Sequence, residues 1–453
     1  MLIVAQILSR LPGLSGPQRK LLLHLMSLWP CVRGRFNFLN LSRYSSCCER
    51  TLRRHFAGSA GSAGSAGSFE WGAFNAQLLE ATVPAEHELM LAQDASFVPK
   101  SGRHTPGLGW FYNGSAGRSE KGLQLSLVSV VDLTHNTAYA LHAQQSLPPE
   151  AKAKAEAKAK AEAKAKAEAK AKAKAKAKAK AKAKADSACK DVQHLRQTQP
   201  YWPAQVRYLA ADGAYTRRPF VDGVCALGLE MVGKLRRDAN LRYLFQGQQL
   251  PRGRRRLYDG KVVWKQFDSG RWNHEGEVEP GVHLYSACLF HLSLKRVIKV
   301  ALLRKAAASA SASASASASS GAGQVLLFST DLSLSGSQIV RMYRARFQIE
   351  FLFRDAKGGT GLTHCQARNE AALHFHWNMA FAALNLAKAQ HTDQHTDQPP
   401  SVSRPRFSWS SVHQWHANQH FLQLFSSKLD LDWNLIQSHP NFPSLCNYGV
   451  IAP

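Results

Sequence analysis

The segment Ser337–Lys357 constrains the fold most, because it carries two distinct stripes on one predicted helix. At about 100° per residue its apolar side chains fall in one arc, and a neighbouring arc about 60° wide holds polar side chains. The apolar arc contains Met342, Ala345, Ile349, Leu352, Phe353 and Ala356, and the polar arc contains Tyr343, Arg346, Glu350 and Lys357. One stripe is therefore predicted to pack into a core while the adjacent edge presents ionisable groups.

Glu350 is the most informative residue of the polar arc, since it lies beside the buried stripe. A carboxylate at such a boundary requires a partner, which is a cation or a metal ion. The alternative is that the polar arc is only a solvated helix face.

Two aspartates end apolar strand-like runs. Asp94 follows LMLAQ and Asp212 follows RYLAA. Ligands of α/β sheets meet the carboxyl ends of strands, although a single aspartate at such a position is commonly a turn or cap residue. With Glu350 these acids make three carboxylates that could bind two divalent cations. Hard oxygen ligands suit Mg²⁺, and two such ions suit phosphodiester chemistry.

The remaining pattern predicts a mixed α/β core. Hairpin signals fill the stretch from Arg236 to Arg304, with a turn predicted at Tyr258–Lys261. The other predicted elements are two strands within Leu123–Ala140, strands at Val206–Ala211, Leu229–Leu235 and Gln324–Thr330, and a helix at Asp186–Gln199.

The formal charge is +27, and part of it comes from a repetitive tract of alternating Ala and charged residues at 151–185, here called the Ala-Lys tract. This tract holds fourteen Lys and three Glu, so the rest of the chain still carries +16. A folded body with that excess attracts polyanions, above all nucleic acid; a basic surface that only aids solubility is the alternative.

The sequence shows no signs of a membrane or secreted protein. No run of eighteen apolar residues occurs, and the eight cysteines are scattered without a CxxC pair. We expect a soluble intracellular protein.

Low-complexity tracts divide the chain into regions. The predicted division is a helical region with a helix-turn-helix at 1–57, a linker at 58–68, the first part of the core at 69–235, a β-rich insertion at 236–305, an Ala/Ser loop at 306–323, the second part of the core at 324–390, a linker at 391–400 and a helical region at 401–453. Within the first region, Arg50, Arg53 and Arg54 lie on the second predicted helix, where they are available to DNA. A solvated basic helix is the alternative.

These residues resemble a known family. Tyr343, Arg346, Glu350 and Lys357 match the spacing Y-x2-R-x3-E-x6-K of bacterial insertion-sequence transposases of the DDE class with the Tyr-Arg-Glu-Lys signature. The sequences around Asp94 (AQDASFVPKSG), around Asp212 (ADGAY) and after the helix (GLTHCQARNEAALHFHWN) are similar to the same family.

The resemblance implies a ribonuclease-H-like mixed-sheet core, interrupted by a β-rich insertion and flanked by helical regions. It implies that Asp94, Asp212 and Glu350 bind two Mg²⁺ ions, with Mn²⁺ as a substitute. It further implies that Tyr343, Arg346 and Lys357 grip the phosphate backbone of the cleaved end.

The implied activity is metal-dependent cleavage of double-stranded DNA at transposon ends and strand transfer into target DNA, by a homodimer in the DNA complex. The resemblance also implies a cytoplasmic location at the bacterial nucleoid. Two alternatives stay open: a catalytically decayed transposase that only binds DNA, and a metal-dependent ribonuclease-H-like nuclease without strand transfer.

Overall fold

The computed structural model describes residues 2–57, 69–146, 188–264, 267–305, 323–393 and 407–451. The linker at 58–68 and the Ala-Lys tract lie outside the described residues, as do most of the Ala/Ser loop and the linker at 391–400. Within the described ranges, no helix combines the length and hydropathy that crossing a membrane requires.

The strands form one mixed sheet of twelve. They are β1 (Leu89–Pro99), β2 (Gly109–Asn113), β3 (Arg118–Asp132), β4 (Thr137–Ser146), β5 (Tyr208–Ala211), β6 (Glu230–Lys234), β7 (Leu241–Leu244), β8 (Tyr258–Lys261), β9 (Asn273–Glu279), β10 (Val282–His291), β11 (Arg296–Lys305) and β12 (Gln324–Ser329).

Helices lie before, between and after these strands. They are α1 (Leu2–Arg10), α2 (Gly16–Leu28), α3 (Phe38–Arg43), α4 (Glu49–Ala57), α5 (Trp71–Thr82), α6 (188–198), α7 (Arg218–Ala226), α8 (Gly336–Ala345), α9 (Gln348–Gly358), α10 (Glu370–Asp393), α11 (Trp409–Lys428), α12 (Trp433–Ser438) and α13 (Phe442–Cys446).

The strand order identifies the core. β4, β3, β1, β5 and β6 are neighbours in that order; β3 is antiparallel to both β1 and β4, whereas β5 is parallel to β1 and β6 is parallel to β5. Antiparallel β7 to β12 continue the sheet beyond β6. With helices at both ends of the chain, this arrangement confirms the predicted α/β, ribonuclease-H-like fold.

Both faces of the sheet are covered, which explains the continuous apolar run of β1. Met90 and Ala92 point into a core shared with α5, α8, α9, α10 and the N-terminal helices. Leu89 and Leu91 point into a second core, shared with α6 and α7. Alternation along β1 therefore decides which helices each side chain meets.

The prediction of one continuous helix over Ser337–Lys357 is wrong. α8 ends at Ala345 and α9 begins at Gln348, although Arg346 and Phe347 keep right-handed helical dihedral angles. The backbone tightens there, because the N–H groups of Phe347 and Ile349 bond to carbonyls three residues back, each at 3.1 Å. The predicted apolar stripe is confirmed, since all six of its side chains are buried.

The turn predicted at Tyr258–Lys261 is also wrong, because these residues form β8 and pair with β7. The Tyr258 ring packs against Phe290 at 4.7 Å between centroids. The Asp259-Gly260 pair is typical of turns, and Gly260 does adopt a positive φ of 105°, but it does so within a strand.

The N-terminal helices pack directly on the core. Trp29, which follows α2, is fully buried, and its Nε1–H donates to the carbonyl of Thr360 at 3.0 Å. α3 and α4 form two helices joined by a short turn, as the sequence pattern predicts.

Candidate active site

The two aspartates lie side by side on neighbouring parallel strands, Asp94 in the middle of β1 and Asp212 directly after β5. The prediction that Asp94 ends its strand is therefore wrong, because pairing with β3 extends β1 as far as Pro99. Gln93 of β1 is in register with Ala211 of β5, and these two residues are followed by Asp94 and Asp212. Asp94 falls on the same face as Ala92, which is the face covered by α9. Its side chain retains 24% exposure.

Arg346 joins two of the three acids. It lies at the break between α8 and α9, and its Nη2 donates to Glu350 Oε1 at 2.6 Å. Its Nη1 is 3.5 Å from Asp94 Oδ2, and its side chain is only 8% exposed. The structure thus brings Asp94 and Glu350 to opposite sides of one buried guanidinium.

Tyr343 and Lys357 reach the same two neighbouring strands. The Tyr343 hydroxyl donates to Asp212 Oδ1 at 3.4 Å, and its ring lies 5.5 Å from the Arg346 guanidinium carbon. Lys357 Nζ donates to Ser96 Oγ at 2.8 Å. All four signature side chains are therefore gathered around the middle of β1 and the end of β5.

The electrostatics of the cluster follow from burial and crowded charge. Burial raises the pKa of Asp94 to about 6; the Ala95 N–H and Arg346 lower it, while the negative charges of Asp212 and Glu350 raise it further. Burial likewise raises the pKa of Tyr343 to about 12 and lowers the pKa of Lys357.

Arg346 stays charged despite its burial. Burial alone would lower its pKa, yet the hydrogen bond to Glu350 and the charge of Asp94 raise it above the ordinary value. Its Nε nevertheless has no hydrogen-bond partner, and its Nη1 has only the 3.5 Å ion pair with Asp94. Buried donors without acceptors are costly, so this guanidinium has spare capacity for an anionic oxygen.

Comparison with family models decides the family. The model described as "DDE superfamily endonuclease" matches residues 47–275, about half of the chain, and this range contains both aspartates. The chain belongs to the DDE superfamily. A second model, "Transposase DDE domain", matches residues 180–386, which include Asp212 and Glu350. The protein is thus a DDE-superfamily transposase; among curated proteins no significant match was found.

The three acids Asp94, Asp212 and Glu350, here called the DDE cluster, have the right donor chemistry for the divalent metals on which this superfamily generally depends. Asp94, Asp212 and Glu350 offer only carboxylate oxygens, the ligand type that Mg²⁺ prefers. In the described part of the chain, one group of His, Cys, Asp or Glu side chains has all its donor atoms within 4.8 Å of one another. That group does not include the three acids of the DDE cluster. The wider spacing at the DDE cluster has a visible cause, since Arg346 stands between Asp94 and Glu350.

Sequence reasoning missed Ser96 as a residue of this site. It accepts the hydrogen bond from Lys357, and it lies two residues beyond Asp94 on the same strand. Period-two alternation from Asp94 would have pointed to it.

The three arginines predicted to meet DNA lie on α4, where each is exposed. Arg53 is partly engaged within the protein, since it pairs with Glu49 at 2.5 Å and its guanidinium carbon lies 5.0 Å from the Phe38 ring centroid. Arg50 and Arg54 lie on the same helix and share its basic surface.

Proposed function

We propose that this protein is an insertion-sequence transposase of the Tyr-Arg-Glu-Lys group, which cuts double-stranded DNA at the ends of its element and transfers the strands into target DNA. In this proposal Asp94, Asp212 and Glu350 hold two Mg²⁺ ions, or Mn²⁺ in their place. The chemistry that such ions supply is stabilisation of charge on the attacking and leaving oxygens of an in-line displacement.

The observation that carries the proposal is the buried Arg346 between Asp94 and Glu350. A buried guanidinium that lies between two carboxylates and keeps its Nε without an acceptor suits a reaction centre that receives a phosphate. Arg346 would bind the phosphate next to the scissile bond with its Nε.

Tyr343 and Lys357 complete the proposed phosphate grip. The Tyr343 hydroxyl is a hydrogen-bond donor, and its raised pKa keeps it protonated at neutral pH. Lys357 supplies a point charge, and its contact with Ser96 holds the ammonium near the end of β1. These donors position the DNA strand relative to the carboxylates.

A basic cleft at the end of β1, five residues beyond Asp94, supports DNA as the substrate. The cleft has a volume of about 480 Å³ and begins at Pro99, where β1 ends. Its lining contains Arg35, Lys100, Arg103 and Arg368 but no Asp or Glu. Lys100 Nζ donates to the carbonyls of Cys365 and Ala367 at 2.5 and 3.0 Å, which ties the two walls together. A duplex bound at the three acids and extending beyond the end of β1 would meet this cationic cleft.

The decisive experiment separates chemistry from binding. The substrate is a duplex carrying the inverted repeats that flank the reading frame, incubated with the full chain and Mg²⁺. Glu350→Gln keeps the side-chain size but removes a ligand charge, so strand cleavage should be lost while DNA affinity is retained. Asp355→Asn is the matched control, because this acid of α9 pairs with the exposed Arg354, and it should cleave at the wild-type rate.

The outcomes distinguish the alternatives. Cleavage followed by joined products supports the transposase; cleavage without joining supports the nuclease; binding without cleavage by the wild-type chain supports the decayed transposase. Undiminished cleavage by Glu350→Gln would assign Glu350 a structural role only. We further propose that the active species is a homodimer on DNA, which light scattering of the DNA complex would measure.

A further inference from the structure

A second group of metal-ligating side chains lies away from the DDE cluster. His87 precedes β1, Asp132 is the last residue of β3, and His135 lies in the turn between β3 and β4. One donor atom of each lies within 4.8 Å of the other two. None of these residues takes part in the function proposed above.

The carboxylate of Asp132 is oriented by its own turn. It is 1% exposed, and its Oδ1 accepts from the backbone N–H groups of Thr134 and His135 at 2.8 and 3.0 Å. Its Oδ2 therefore faces the two imidazoles, at 2.7 Å from His87 Nδ1 and 3.6 Å from His135 Nδ1. The two rings are perpendicular, with centroids 4.3 Å apart.

The backbone that carries these side chains is also fixed. The N–H of Leu133 donates to the carbonyl of Glu88 at 2.9 Å, and the N–H of Glu88 donates to Thr134 Oγ1 at 3.1 Å. Asn136 has a φ of 49°, a left-handed conformation that closes the turn. The segment with His87 and the turn with His135 are thus tied together independently of any ligand.

We propose that His87, Asp132 and His135 form a binding site for a divalent transition-metal ion of the zinc type. Two imidazole nitrogens and one carboxylate oxygen are the donors that Zn²⁺ accepts, whereas Mg²⁺ prefers oxygen alone. In a tetrahedral zinc site, ligand bonds of about 2.0–2.1 Å separate donor atoms by roughly 3.3 Å. The two measured separations, 2.7 and 3.6 Å, bracket that value.

This site is separate from the DDE cluster. Asp132 is in register with Leu89 at the start of β1, whereas Asp94 is in register with Leu127. Five strand residues span about 17 Å, so one ion cannot serve both places. The inference therefore does not rest on the proposed function. A metal bound here would clip the β3–β4 turn to the segment that leads into β1.

The competing explanation is a hydrogen bond between the His87 Nδ1–H and Asp132 that needs no metal. The test uses the full chain, treated with a chelator and then titrated with Zn²⁺ in competition with a chromophoric indicator. The intensity of Co²⁺ absorption in the visible range reports whether the bound ion is tetrahedral, as expected for a zinc-type site, or octahedral, as in water. We expect one equivalent bound per chain and a higher melting temperature with Zn²⁺.

The variant His135→Gln removes one of the three donors and leaves the 2.7 Å hydrogen bond between His87 and Asp132 in place. Its zinc affinity should fall by about 100-fold or more, since even outer-shell changes at metal sites cost 10–100-fold. The rise in melting temperature that Zn²⁺ causes in the wild type should be absent from this variant. His439→Gln, at an exposed position in the C-terminal region, is the control and should bind zinc normally.

Absence of stoichiometric zinc binding by the wild type would overturn the proposal. So would equal zinc affinity in the wild type and His135→Gln. Cleavage of element ends in Mg²⁺ is measured in parallel, and it should be unaffected by His135→Gln. A failure of the proposed function is thereby distinguished from a failure of the zinc site.

Discussion

Protonation of His376 at acid pH should destabilise the loop that follows α9. This side chain lies on α10 and is 3% exposed; its Nε2–H donates to the carbonyl of Gly361 at 2.8 Å, and its ring meets Trp29 edge-on. Gly361 follows α9, the helix with Glu350 and Lys357. A proton on Nδ1 would place an imidazolium in this apolar environment.

The size of the loss in unfolding free energy follows from the pKa shift of His376. Burial lowers the pKa of His376 from 6.5 to about 4. The unfolded chain takes up the proton first as the pH falls, so the contribution of neutral His376 is complete above pH 6.5 and is lost towards pH 4. At 1.36 kcal/mol per pKa unit the whole loss is about 3 kcal/mol, of which about 2 kcal/mol is gone at pH 5. That is a large part of a typical stability of roughly 5–15 kcal/mol.

Urea unfolding of the wild type and His376→Gln at pH 7 and pH 5 measures this contribution. The variant should be less stable at both pH values, but its loss between them should be smaller by about 2 kcal/mol. His439→Gln, at an exposed position, should lose as much as the wild type. Equal losses in the wild type and His376→Gln would refute the assignment.

Further predictions concern the same loop and the charged tract. Gly361→Ala should cost roughly 2–4 kcal/mol in urea unfolding, because its φ is +72° and a Cβ would lie 2.3 Å from the Phe36 ring. Gly358→Ala, where a Cβ meets nothing within 4 Å, should be neutral or slightly stabilising. Trp29→Phe removes the donor to the Thr360 carbonyl and should cost roughly 1–3 kcal/mol by the same measurement. Shortening the Ala-Lys tract should weaken non-specific DNA binding and flatten its salt dependence while cleavage at element ends persists; loss of the cooperative melt would contradict this.

Local periodicity was sufficient to predict much of the core. The alternation and apolar runs around Asp94 and Asp212 located β1 and β5, and the stripe from Met342 to Ala356 located the buried side of α8 and α9. These patterns are determined by neighbours a few residues apart, which is the range that a sequence displays directly.

Features that depend on distant partners were not predictable. The helix break at Arg346 coincides with its contacts to Asp94, far away in sequence, and helical periodicity alone continues through it. β8 is a strand because its backbone pairs with that of β7, although Asp259-Gly260 has the composition of a turn. Neither contact leaves a local signal.

The histidine cluster shows the same limit. The Asp132-x2-His135 spacing is visible in the sequence, but His87 joins it only through the pairing of β1 with β3. Only the register reveals that three residues from two segments share one donor set.

The β-rich insertion leaves and re-enters the core at neighbouring points. The N–H of Leu235, just after β6, donates to the carbonyl of Leu326 in β12 at 2.9 Å. The 236–323 segment is therefore an insertion whose two ends are held together by the pairing of β6 with β12. Insertions and deletions in its outer hairpins can change its length without moving the frame that holds Asp212 and Glu350. Evolution can thus vary this part of the protein while the spacing of the reaction centre stays constant.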